Sequence, residues 1–142
     1  MLQKNNKNLK GGDNTTPAMR AQFERARAVY QAKKGTWLAL DFEHWEGSGP
    51  FGMPLFLEFG FSQLTWADGE EVIVDGHACP KDSYHSTRNS QYVRDECENF
   101  LYGETKIIPR AEWKELVLST ITDAASRGPL FLVFHDKHGD LK

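Results

Sequence analysis

The chain has 142 residues, 39% hydrophobic and 12% aromatic, with 17 basic against 20 acidic side chains and a formal net charge of −3. That length suits one domain, and the composition excludes a disordered tail or a fibrous, collagen-like chain. The charge is unevenly split: residues 1–34 carry eight basic and two acidic side chains, while the remainder nets −9.

No window approaches the ~18 consecutive apolar residues of a membrane span, so no membrane partner is expected. The segment 1–16 has lysines and asparagines but no apolar h-region of a secretory signal. Cys79 and Cys97 are the only cysteines and form no Cys-x-x-Cys pair, which suits free thiols in cytoplasm or nucleus.

Residues 1–14 are polar, rich in Asn, Lys and Gly, and are expected to be disordered. Thr16-Pro17 is a helix start, with Thr as cap and Pro in the first turn. Met19, Phe23, Ala26 and Tyr30 then recur at helical spacing, which predicts a short amphipathic helix to about Lys34, ended by Gly35. The expected organisation is therefore a basic arm, residues 1–34, before a folded domain, residues 35–142.

From Thr36 to Glu43 the period changes to two. Leu38, Leu40 and Phe42 fall on one strand face, and Ala39, Asp41 and Glu43 on the other. Residues 47–54, with three glycines and two prolines, are a loop. Leu55–Trp66 reads as a second strand, Ala67-Asp68-Gly69 as a hairpin turn, and Glu71–Val74 as the opening of a third strand. Residues 76–108 are expected to be mainly loop with one short helix. Trp113, Leu116, Val117, Ile121, Ala124 and Ala125 share one helical face, and Gly128-Pro129 stops that helix. Leu130–Phe134 is an unbroken apolar run, expected as a central strand buried on both faces.

The predicted fold is α/β. An antiparallel three-strand meander is followed by a crossover helix and a fourth strand parallel to the first, by the right-handed crossover rule. Acidic residues past the carboxyl ends of the first and last strands then share one sheet edge. Asp41 and Glu43 point to the same side, and Asp140 follows the last strand. Three carboxylates converging in this way would hold Mg²⁺ or Mn²⁺ for phosphodiester hydrolysis. The simpler reading of Asp41-x-Glu43 alone is a strand emerging into solvent.

Other candidates are weaker in chemistry. His135 and His138 with Cys79 and Cys97 are zinc-compatible residue types at poor spacing. His135 reads better as an orienting group beside the carboxylates. His44 and Trp45 could stack a nucleotide, or Trp45 could simply pack. Arg25, Arg27, Lys33 and Lys34 could contact phosphates, or could form a solvated helix face. The loop 47–54 is not a P-loop, and no serine or cysteine sits in a hydrolase-triad setting.

The segments Leu38-Ala39-Leu40-Asp41-Phe42-Glu43, Glu58-Phe59-Gly60 and Leu132-Val133-Phe134-His135-Asp136-Lys137-His138-Gly139-Asp140 resemble the first two motifs of the DEDD-type 3′→5′ exonucleases. Gly139 stands where that family has an aromatic residue, and Asp136 where it has Asn. The resemblance implies a partial ribonuclease H-like fold, with Asp41, Glu43 and Asp140 as metal ligands and nucleic acid as partner. It also implies a third motif downstream of Asp140, with a fourth acid and a His or Tyr general base. Only Leu141 and Lys142 follow Asp140 here, so this chain is expected to be an inactive, C-terminally shortened domain.

Asn89–Asp95 and Phe100-Leu101-Tyr102-Gly103-Glu104-Thr105 further resemble a fungal C-terminal domain family. That family is named for a yeast factor supporting the DEAD-box helicase of messenger-RNA export. This second likeness implies RNA or another single strand as ligand. It also implies the alternative of a non-catalytic module that binds RNA or a protein partner in messenger-RNA export or processing.

Overall fold

The computed structural model describes residues 16–47, 49–91 and 97–134. By internal contacts the chain forms two compact units, residues 1–32 and 33–142.

In the first unit, helix α1 spans Pro17–Gln31. Thr16 caps it as its sequence predicts, its Oγ1 accepting a hydrogen bond from the Met19 N–H at 3.3 Å, with Pro17 in the first turn. Along the predicted apolar stripe Met19, Phe23 and Tyr30 are exposed and Ala26 is half-buried.

The second unit is a mixed five-stranded sheet in the order β4-β3-β2-β1-β5. Its strands are β1 (Thr36–His44), β2 (Phe56–Ala67), β3 (Glu70–Pro80), β4 (Thr105–Ile108) and β5 (Leu130–Val133), with helix α2 (Arg110–Ser126) before β5. The expected meander is there: β1 pairs antiparallel with β2, and β2 with β3. Between β2 and β3, Asp68 and Gly69 both have positive φ, 53° and 82°. That is the two-residue turn whose twist matches a hairpin. The Lys33 ammonium donates to the Gly69 carbonyl.

The expected crossover is also present. β5 lies parallel beside β1, from Thr36↔Leu130 to Ala39↔Val133. Trp37 and Phe131, opposite each other in that register, stack at 4.8 Å between centroids and 22° between planes.

One face of the sheet carries the core. Leu38, Leu40, Phe59 and Ala124 are buried, with Trp113, Leu116, Val117 and Ile121 of α2 packed against them. The helical face read from the sequence is therefore correct, except that Ala125 is exposed. Phe59 is the centre of this layer, its ring 5.0 Å from Phe42, 6.0 Å from Phe61 and 6.3 Å from Trp113.

Two expectations are refined. The described residues of 81–104 are loop and turn, as expected for most of 76–108, but β3 continues to Pro80, and Thr105–Ile108 forms β4, paired parallel to β3 from His77 to Pro80. Four residues are too few to show a period, and their partner is about 28 positions away, so pairing rather than pattern makes this strand. No helix occurs among the described residues of 81–104. β5 is likewise not a central strand. Among the described residues it is a sheet edge, with Leu132 and Val133 each 44% exposed.

Arg110 ties the start of α2 to the sheet. It donates to the Asp82 carboxylate at 3.0 Å, the Ser83 hydroxyl at 2.9 Å and the Phe56 carbonyl at 3.3 Å. A hydrogen bond from the backbone at Asp82, opposed by partial desolvation and reinforced by Arg110, holds that carboxyl below its usual range. Arg110→Gln leaves the buried Ser83 without this partner and should cost about 1–3 kcal/mol in urea denaturation. A change below about 0.5 kcal/mol would remove Arg110 from the account of the fold.

Candidate functional site

The sheet face opposite α2 holds the polar residues. Alternation along β1 sends Leu38, Leu40 and Phe42 into the core and leaves Asp41 and Glu43 on the other face. The antiparallel register carries that face across the sheet. Asp41 lies opposite Gly60, which lies opposite His77, and Glu43 lies opposite Glu58. A register irregularity between Glu43 and His44 ends the regular pairing beside the carboxylates, a common position for a bulge that re-aims side chains.

Over this face runs a groove of about 920 Å³, bordered by Asp41, Gly60, Ser62, Asp75, Phe100 and Tyr102. Gly60 is the reason for its depth. A Cβ built there meets no atom within 4 Å, so any side chain would project into the groove. Gly60→Val should therefore fold normally, because valine suits a strand better than glycine, while filling the groove floor. Unchanged thermal melting with loss of any ligand that lies along the groove is the expected pair of results. Full binding by a folded Gly60→Val chain would count against the groove.

The rim is aromatic on the β3–β4 side. Phe100 stacks on the His77 ring at 4.9 Å and 24°, and Tyr102 lies 6.0 Å from Phe100 and is exposed. His77 is fixed at both nitrogens: Nδ1 is 2.9 Å from Thr105 Oγ1, and Nε2 is 3.0 Å from Glu58 Oε2.

The sequence candidates sort as follows. Asp41 borders the groove, and Glu43 lies on the same face two residues on. Asp140 and His135, with His138, lie outside the described residues. His44 and Trp45 do not border the groove. Trp45 is half-buried, its ring against the backbone of Gly47, and its backbone N–H donates to the Leu55 carbonyl at 2.8 Å. Arg25 and Arg27 are on α1, where Arg25 is exposed like Arg27, Lys33 and Lys34. The loop after β3 is tied to the end of β1. Asn89 donates to the His44 carbonyl at 2.9 Å and accepts from the Glu46 N–H, and the Glu46 carboxylate accepts from the Gln91 N–H, also at 2.9 Å.

Sequence reading alone missed His77, Glu58, Phe100 and Tyr102 as parts of this face. The signal for Glu58 and Gly60 was present as Glu-Phe-Gly on the second strand. His77 is hidden in the sequence because no strand pattern runs through the end of β3.

A mixed sheet with a parallel β1–β5 pair, a crossover helix and acidic residues at the end of β1 is compatible with a partial ribonuclease H-like fold, and the class is the DEDD exonuclease superfamily. Residues 36–142 match the family model described as DNA polymerase III subunit epsilon-like, C-terminal domain, and the chain belongs to that DEDDh family.

Two malate dehydrogenases of Chlamydia trachomatis, from serovars L2 and L2b, are each 35% identical to it over 69 residues. Those matches cover 47% of this chain, which spans about a fifth of the length of those relatives. Gly47, Gly49 and Gly52 have the spacing of a dinucleotide-binding fingerprint. That fingerprint needs a helix N-terminus to receive the pyrophosphate. Here the loop passes through a single 3₁₀ turn, Pro50–Gly52, into β2, antiparallel to β1. The glycines therefore make a strand-to-strand connection, not a nucleotide site.

Proposed function

We propose that residues 36–142 bind single-stranded nucleic acid, RNA in particular, along the groove, with Mg²⁺ or Mn²⁺ held by Asp41 and Glu43, as a domain related to 3′→5′ exonucleases. The observation that carries this reading is the pair of β1 carboxylates on the helix-free face beside a groove floored by Gly60. Parallel pairing of β5 with β1 supports Asp140 as a third ligand, because the carboxyl ends of the two strands point the same way. His135, between β5 and that acid in sequence, takes the orienting role in this reading.

The residues fit a hard divalent cation, since two carboxylates at i, i+2 offer only oxygen. Such a cation would supply charge neutralisation for a phosphodiester and activation of water. The chain's own side chains position the strand: Phe100 and Tyr102 offer ring faces to bases, and the glycine floor admits the backbone. The RNA preference and a place in messenger-RNA export follow from the likeness of 89–105 to the fungal family. The basic residues Arg25, Arg27, Lys33 and Lys34 add a salt-dependent phosphate contact in this reading.

The test is Mn²⁺ binding by calorimetry, wild type against Asp41→Ala with Glu43→Ala. Equal affinities sink the metal site and leave the fold as a protein-interaction scaffold.

A further inference from the structure

A second group of ligand-type side chains lies one strand further along the same face. Glu58, His77 and Cys79 have their carboxylate oxygen, ring nitrogen and sulfur all within 4.8 Å of one another. None of the three belongs to the Asp41/Glu43 pair. The group is enclosed: Cys79 is 1% exposed, and the His77 and Glu58 side chains are 8% and 15% exposed. Glu58 and Cys79 also border a small cavity of about 10 Å³ that Cys97 and Tyr84 close. That is roughly the room one water or one ion needs.

We propose that Glu58, His77 and Cys79 form a zinc-type metal site, distinct from the carboxylate pair on β1. The donor chemistry separates the two. Asp41 and Glu43 offer oxygen alone, which suits Mg²⁺ or Mn²⁺. One sulfur, one imidazole and one carboxylate suit a borderline-soft, tetrahedral ion such as Zn²⁺, with ligand distances of about 2.0–2.3 Å. The 3.0 Å between His77 Nε2 and Glu58 Oε2 is close to the edge of such a tetrahedron.

The surroundings agree. A metal-binding histidine commonly gives its other ring nitrogen to a hydrogen-bonding partner that fixes its tautomer. His77 Nδ1 has Thr105 Oγ1 at 2.9 Å, and the Phe100 ring lies flat against the imidazole. Charge also balances: Cys79 loses its proton to solvent on binding, and the thiolate and the carboxylate then offset the 2+ ion beside a neutral imidazole. Cys97, which accepts a hydrogen bond from the Arg88 guanidinium, borders the same cavity as Glu58 and Cys79. Such a site would clamp β2 to β3, and through Thr105 to β4, beneath the aromatic rim of the groove.

Cobalt titration of the full, chelator-stripped chain tests this without any activity assay. One equivalent of Co²⁺ should give a sulfur-to-cobalt charge-transfer band with the intense visible bands of tetrahedral cobalt, and Zn²⁺ should displace it. Cys79→Ser should lose the charge-transfer band, and Thr105→Val should weaken binding about 10–100-fold. Asp41→Ala with Glu43→Ala should leave both bands intact, which separates failure of this site from failure of the β1 site. If Cys79→Ser does not fold by circular dichroism, Glu58→Gln is read instead, with affinity at least about 10-fold weaker. Absence of the band in the wild type overturns the proposal. So does its persistence in Cys79→Ser, unchanged affinity in Glu58→Gln, or its loss in the β1 double variant.

Discussion

Phe59→Ala is expected to cost about 3–5 kcal/mol, the range for removing a fully enclosed phenylalanine. The ring is 0% exposed and touches aromatic partners from three elements: Phe42 on β1, Phe61 on β2 and Trp113 on α2. Phe59 thus joins the strands to the helix within the buried cluster, and neighbours held in the sheet relax only partly into the cavity left behind. With net stabilities of about 5–15 kcal/mol, the loss is a large fraction of the whole. Urea denaturation of the variant measures it, with a melting temperature more than about 10 °C lower in parallel. Phe59→Leu keeps most of the volume and should lose much less. A cost below about 1 kcal/mol for the alanine variant would mean that α2 does not pack on this face.

Replacing Asp41 by Asn and Glu43 by Gln should weaken Mn²⁺ binding by about 100-fold or more, since even partners one step removed from a metal cost 10–100-fold. The same pair should leave the metal-free chain as stable as the wild type or slightly more so. Both side chains sit on one face of β1, so their like charges add a repulsion that a cation between them would offset. The isosteric amides remove that repulsion without changing shape. Calorimetry gives the affinity, and thermal melting with and without Mn²⁺ gives the stability. A structural role for the carboxylates predicts the reverse, a destabilised metal-free chain, so the sign of the melting shift decides between a ligand pair and ordinary surface acids.

What the sequence carried was local. Leu38-Ala39-Leu40-Asp41-Phe42-Glu43 alternates strictly, so its buried and polar faces could be assigned before any partner strand was known. Thr16-Pro17 and Asp68-Gly69 announce a helix start and a hairpin by backbone chemistry alone. The helical face from Trp113 to Ala124 was legible for the same reason, since one period runs through the whole helix.

The remainder depends on which strands become neighbours. Thr105–Ile108 becomes a strand because β3 lies beside it, and Leu130–Val133 was too apolar a run to reveal itself as an edge. Glu58, His77 and Cys79 are separated by up to 21 positions and meet only through the β2–β3 register. Single-residue chemistry gave no hint of that meeting. Asp41 and Glu43 were legible as a pair, whereas the groove beside them needed Gly60, Phe100 and Tyr102 to come together from three places.

The β1–β5 pairing has a consequence for the order of assembly. The β1–β2–β3 meander closes through short connections, whereas Thr36 meets Leu130 across 94 positions. Closing so long a loop costs chain entropy before any contact repays it. The hairpins and their buried rings thus supply a template on which the last strand docks. A chain still being synthesised would carry Asp41 and Glu43 on a folded surface before β5 arrives, so the parallel β1–β5 pair is the final event of folding in this sheet rather than an early one.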